Sequence, residues 1–293
     1  MSAQPEARTD PRHRALRVRC IGALARGAVA SSGRRLHRLP GYGRSPYWLA
    51  GDTVVWIGTS IASMHPRAIV VAACGDDEGP VLAPDLPAAW QPAERRPGLP
   101  SKRAVDVLLA EAASLSRPRG FAACLLGKRA EPLLRDAIAA ANRFAMACAA
   151  DRVPAALREA EALLGVGPGL TPSGVDFVGG GSFTRMLIAP PDARARWQSL
   201  AGAFVELAHR RSHFLGAVLF SDLVHARSFE ALHRMVCVLQ AGDLARLHDC
   251  VAEVLRIGHS SGWDLLAGCV AAVRGHLEPC SWTFPQDETC PLP

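Results

Sequence analysis

One short pattern occurs twice in this chain. Ser173-Gly174-Val175-Asp176-Phe177-Val178-Gly179-Gly180 and Ser261-Gly262-Trp263-Asp264-Leu265-Leu266-Ala267-Gly268 both read S-G-x-D, two apolar residues, any residue, glycine, 88 positions apart. The first copy closes the run GVGPGLTPSGVDFVGG (Gly165 to Gly180); the second lies in IGHSSGWDLLAG (Ile257 to Gly268). In the first, Gly165, Gly167 and Gly169 permit backbone conformations costly to other residues. Thr171 suits a helix N-cap and Pro172 the first helical position, so Ser173 and Gly174 fall in the first turn with Asp176 just beyond. In the second, Gly258 breaks the preceding helix, His259 sits in the turn, and Ser260 or Ser261 caps the next helix.

A glycine loop entering a helix N-terminus presents unpaired N–H groups and the positive end of the helix dipole. It suits a phosphate or carboxylate, and the bare backbone of Gly174 leaves a ligand room. The run is not a P-loop, since no lysine follows the glycines. Nor is it a dinucleotide fingerprint, because the preceding PAALREAEALL reads as helix rather than strand. A single S-G-x-D is adequately explained as a cap with an acidic first turn, with Gly179 or Gly268 packing helices. Two copies in the same order favour a paired site. Two helix N-termini then face each other across a pseudo-two-fold axis and grip one ligand, or bind one each.

The rest of the chain is expected to be α+β, with a small β-rich N-terminal domain followed by a larger helical domain. Residues 1–15 read as a disordered arm and residues 16–90 as the β-rich domain. In it, WLAGDTVVWIG carries a hairpin signal at Gly51-Asp52 and RAIVVAAC a β-branched run. Five prolines in residues 84–100 mark the boundary, with 91–100 as linker. Helical periodicity dominates residues 101–278, with Ser101 as an N-cap, and residues 279–293 form a tail.

The net charge is +6, but residues 1–44 alone hold ten arginines against Glu6 and Asp10. The remaining chain is slightly acidic. This concentration, without interleaved aromatics, reads as a solvated arm dispensable for small-ligand binding and gives no nucleic-acid-binding face. Nine cysteines, an odd number with no C-x-x-C pair, fit reduced thiols in a cytoplasmic protein; Cys124, Cys148, Cys237, Cys250 and Cys269 lie in apolar contexts. No apolar run reaches the ~20 residues of a membrane span.

The two motifs resemble those of the DUF2877 proteins, the family that includes the AllH subunit of bacterial oxamate carbamoyltransferase. The family's G-x-G-P-G-L-T-P-S-G-D-D-F corresponds to Gly165–Phe177, and its G-H-S-S-G-x-D-x-L-x-G to Gly258–Gly268. The resemblance implies a subunit of a multi-subunit carbamoyltransferase in ureide catabolism. It would interconvert oxalurate plus phosphate with oxamate plus carbamoyl phosphate. The partners implied are the other subunits and a small anionic substrate, with no nucleic acid or membrane. Phosphate or carbamoyl phosphate is the expected ligand, and neither a cofactor nor a metal is assigned. Where the family has two aspartates this chain has Val175-Asp176, which keeps a non-catalytic scaffold that recruits partners as the alternative. In the carbamoyltransferase reading, Asp176 and Asp264 orient the amide or accept a proton, and His259 stabilises the developing oxyanion. Gly167, Gly169, Thr171, Ser173, Gly174, Ser260, Ser261, Gly262 and Arg211 hold the anion. His213 is read as structural, and Arg185 as a solvated side chain.

Overall fold

The computed structural model describes residues 15–42, 45–73, 80–92 and 97–277. The N-terminal arm but for residue 15, part of the proline-rich linker and the C-terminal tail lie outside the described residues. Tertiary contacts divide the chain into two units. One takes in the described residues of Met1–Glu94 with Arg227–Arg234; the other takes in those of Arg95–Ala226 and Met235–Pro293.

The first unit is built on a six-stranded mixed sheet. Its strands are β1 (Val18–Gly22), β2 (His37–Arg38), β3 (Tyr47–Ala50), β4 (Thr53–Gly58), β5 (Ala68–Val71) and β6 (Ala89–Trp90), in the order β2-β3-β4-β5-β1-β6. The Gly51-Asp52 signal becomes a two-residue hairpin turn. Ala50 pairs with Thr53 and Tyr47 with Trp56, and Gly51 takes φ 57°. Strand β4 pairs parallel with β5, and β1 parallel with β6. One helix interrupts the region expected to be β-rich. IGALARGAVASS supplies α1 (Ala23–Ser32), whose Ala25, Ala28 and Val29 join Ile21, Leu36, Val55 and Ile69 in one core. Met64, Ala68 and Val70 form a second apolar cluster, bordered by Cys20, Trp56 and Trp90. Against this region the His65 ring packs at a tilt on Trp56 and on Phe229, with ring centroids 5.8 and 5.0 Å apart.

The second unit is helical: α2 (Lys102–Leu115), α3 (Gly120–Leu125), α4 (Ile138–Ala149), α5 (Val153–Leu163), α6 (Ser173–Ile188), α7 (Pro191–Arg211), α8 (Phe214–Val224), the greater part of α9 (Glu230–Ala241), α10 (Leu247–Leu255) and α11 (Ser261–Arg274). Ser101 caps α2 as expected, its hydroxyl accepting from the Ala104 amide at 3.2 Å. Helix α6 is the axis of this unit; every one of its sixteen residues is buried. A helix buried on all sides needs small residues wherever a neighbour approaches. The run Gly179-Gly180-Gly181 meets that need on three sides. Gly179 faces Leu223 of α8, Gly180 the backbone of Leu265 in α11, and Gly181 the ring of Phe144 in α4.

Arg185 on the same helix corrects the expectation of a solvated side chain. It is 3% exposed. Its guanidinium makes a two-pronged ion pair with Asp151, with Nε–Oδ1 at 2.9 Å, and Trp197 Nε1 donates to the same Oδ1 at 2.9 Å. None of the six described cysteines is in a disulfide; Cys124, Cys148, Cys250 and Cys269 are buried and Cys20 and Cys237 half-buried. No helix among the described residues is long and apolar enough to cross a membrane.

Candidate functional site at the crossing of two motif helices

The two S-G-x-D copies start α6 and α11, and these helices pack directly on each other. The contact is reciprocal. A Cβ on Gly180 would lie 3.0 Å from the carbonyl carbon of Leu265 and closer still to its oxygen. A Cβ on Gly268 would meet the Phe177 carbonyl in the same way, 2.9 Å from its carbon. Phe177 and Leu265, like Gly180 and Gly268, are equivalent positions of the two copies. The repeat is therefore a pseudo-two-fold helix crossing in which each copy's last glycine receives the other's backbone.

At the N-terminal ends the reciprocity continues in polar groups. The hydroxyl of Ser261 in the second copy acts on the carboxyl of Asp176 in the first, and that of Ser173 in the first on the carboxyl of Asp264 in the second, each holding the pKa down. Thr171 also reaches Asp176, and its Oγ1 lies 3.0 Å from Ser261 Oγ. Both aspartates are buried, 5% and 0% exposed. Burial raises the pKa of Asp176 to about 7, against the lowering effect of the two hydroxyls. It raises that of Asp264 well above the ordinary carboxylate value, and the charges of Asp176 and Glu131 add to the rise. Oδ2 of each aspartate has no hydrogen-bond partner.

A third segment closes on Asp264. Its Oδ1 accepts the Phe121 amide at 2.8 Å at the start of α3. Gly120, at φ 57°, lies so close that a Cβ would sit 2.6 Å from the Asp264 carboxyl carbon. Only glycine satisfies both the left-handed backbone and the contact. Next to it, exposed Arg119 sets Nη1 2.8 Å from His259 Nδ1 and 3.2 Å from the His259 carbonyl oxygen. The Glu131 carboxylate reaches the Gly120 amide. Arg119, Gly120, Phe121 and Glu131 were missed in the sequence reading. The first three lie in SRPRGFAACL and Glu131 six residues beyond it, a stretch with no likeness to either motif; only the arginine–glycine pair ahead of an apolar run marks the place.

Several sequence expectations are corrected. The room beside Gly174 is filled: a Cβ there would lie 2.7 Å from the carbonyl carbon of Leu163, the last residue of α5. Gly262 is pressed in the same way on Val254 of α10. Their amides are committed too, Gly174 N–H to Val166 O and Gly262 N–H to Ile257 O, each at 2.9 Å. The motif glycines thus let a helix fold back tightly on the one before it. Thr171 is not the N-cap. Pro172 and Ser260 hold the two cap positions, with no side-chain cap bond at either. Thr171 turns to Asp176 and Ser261 instead.

Among the other expected residues, Gly167 packs against Ser173, whereas the Cβ direction of Gly169 opens onto empty space. Arg211, at the end of α7, ion-pairs with Glu161, both half-exposed. Its backbone carbonyl lies on Gly165. His213 occupies the N-cap position of α8. Val175 is 1% exposed, its side chain within the core.

Residues 163–273, a span containing both motifs, match the family model described as oxamate carbamoyltransferase subunit AllH. No curated protein and no solved structure matches the chain.

Proposed function

We propose that this chain, AllH-like across residues 163–273, is a subunit of a carbamoyltransferase complex acting on small anions, with carbamoyl phosphate and oxamate or oxalurate as its ligands. The observation that carries the reading is the reciprocal pairing Ser173–Asp264 and Ser261–Asp176, beside the Arg119–His259 contact. The family match covers the two helices that carry Asp176 and Asp264, while Arg119 reaches His259 from outside it.

The arrangement supports a division of labour. Exposed Arg119 offers a guanidinium to a phosphate or carboxylate, the role first expected of Arg211, whose charge is engaged by Glu161. His259 beside it supplies an imidazole nitrogen that can accept a proton from the attacking amide. Buried Asp176 and Asp264, with hydroxyls of Thr171, Ser173 and Ser261, offer acceptors that orient an amide N–H. In the oxalurate-forming direction the oxamate nitrogen attacks the carbamoyl carbon of carbamoyl phosphate, the C–N bond forms, and the C–O bond to phosphate breaks. The nitrogen's proton passes to His259, and phosphate departs against Arg119. No protein nucleophile is needed, because positioning the two reactants supplies much of the acceleration.

The test is ligand-dependent melting against phosphate, carbamoyl phosphate, oxamate and oxalurate. A ligand at about 100 times its dissociation constant stabilises by about 2.7 kcal/mol. Stabilisation by carbamoyl phosphate or oxalurate supports the reading. Val175, a core residue where the family pattern has a second carboxylate, favours the alternative of a scaffold that recruits the other subunits. No stabilisation by any of the four, alone or with partner subunits, decides for the scaffold.

A further inference from the structure

We infer that the crossing of α6 and α11 is a binding site for a divalent cation of the magnesium class, held by Oδ2 of Asp176 and Oδ2 of Asp264 together with the hydroxyls of Thr171, Ser173 and Ser261. Three observations lead there. First, both Oδ2 atoms are buried and have no hydrogen-bond partner. A buried polar atom without a partner is uncommon, and a pair of them on adjoining carboxylates more so. Second, no basic side chain acts on either carboxyl. What surrounds them is apolar bulk, three hydroxyls, one backbone amide and, at Asp264, the further negative charge of Glu131. Two carboxylates withdrawn from water without a cation have to be neutralised, by protons or by a metal ion.

Third, the donor set is chemically uniform. Two carboxylate oxygens and three hydroxyls are all hard oxygen ligands, which suit magnesium, manganese or calcium and not zinc or copper. Among the described residues no three His, Cys, Asp or Glu side chains gather as a metal site. That absence argues against a protein cage. It fits magnesium, which keeps several waters and is commonly held by one or two carboxylates. Access also fits: Thr171 and Ser261 are half-buried, so the hydroxyl layer lies between solvent and the buried carboxyls. The inference concerns cation binding alone and holds whether or not the chain takes part in carbamoyl transfer.

The experiment titrates the full chain, stripped with chelator, with Mn2+ at pH 8 and follows the free-ion EPR signal, then competes with Mg2+. The expected result is one saturable site per chain that Mg2+ displaces. Asp176→Asn and Asp264→Asn should each weaken Mn2+ by about tenfold or more, with circular dichroism verifying the fold. Should both aspartate variants fail to fold, Ser261→Ala decides, and a several-fold loss of Mn2+ affinity is expected from it. The proposal is overturned if the unmutated chain shows no saturable Mn2+ site. It is equally overturned if affinity is unchanged in the folded variants; the carboxyl pair then holds protons instead.

Discussion

Gly268 of α11 lies with its α-carbon against the main-chain carbonyl of Phe177 in α6, where no side chain fits. Its counterpart 88 positions earlier, Gly180, meets the Leu265 carbonyl in the same way. Backbone cannot yield as a side-chain tip can, so the crossing distance is fixed by these two hydrogen-for-methyl choices. Gly268→Ala and Gly180→Ala should each destabilise by about 1–3 kcal/mol or more, as overpacking does. Gly202→Ala, in α7 with open space around it, should be neutral or stabilise by up to about 1 kcal/mol. Urea unfolding of the three variants checks the contrast; equal midpoints would contradict the crossing.

Gly174→Ala and Gly262→Ala should behave as fold variants. Each new methyl would strike the main chain at the end of the preceding helix, Leu163 or Val254. The expected outcome is a lowered Tm in both, by several degrees for a loss of about 1–3 kcal/mol. Calorimetry on whatever fraction stays folded should give unaltered ligand affinity. A normal Tm with affinity lost would return the ligand to the glycine.

Arg119→Ala should leave Tm within a degree or so, because the side chain is exposed, and should weaken carbamoyl phosphate about tenfold or more by removing a charge-assisted contact. Arg211→Ala, which breaks a half-exposed ion pair with Glu161, should leave binding unchanged. Isothermal titration of the two variants separates the arginines.

The buried ion pair should be costly to break from one side. Asp151→Asn leaves the Arg185 guanidinium, 3% exposed, without its countercharge. A loss of about 3–5 kcal/mol is expected. Arg185→Met together with Asp151→Asn should recover much of it, because the double variant removes both charges. Denaturant melts of the single and double variants measure the difference.

His65 makes the first unit acid-sensitive. Burial, with the charge of Arg67 adding to it, lowers its pKa to about 3 from 6.5. The unfolded chain takes up a proton below pH 6.5 that the folded chain refuses until about pH 3. Stability is therefore full above pH 6.5 and is lost as pH falls through this window, by about 2 kcal/mol at pH 5. His65→Gln should flatten the slope of Tm against pH between 6.5 and 4, whatever it does to stability at pH 8. An unchanged slope would place the acid sensitivity elsewhere, with His233, also lowered by burial, the next residue to test.

Local pattern carried the α+β division and the likeness of the two motifs. Local signals sufficed for the Gly51-Asp52 hairpin, the Ser101 cap and the start of α11, because each depends on residues a few positions apart. The duplicated S-G-x-D points to two equivalent helix starts, and α6 and α11 both begin at it. Helix α1 escapes the sequence pattern because its buried face is only Ala25, Ala28 and Val29, small residues that carry little periodic contrast. What the motif residues touch follows from packing of distant segments. Whether a glycine admits a ligand or a neighbouring carbonyl depends on where a distant backbone passes, and nothing within Gly165–Gly180 encodes the position of Leu265. The same holds for Arg119. Its place beside His259 arises because Gly120, 144 residues before Asp264, can take a left-handed turn against a buried carboxyl. Short-range sterics and capping are written in neighbouring residues; charge burial and backbone contact are properties of the packed chain.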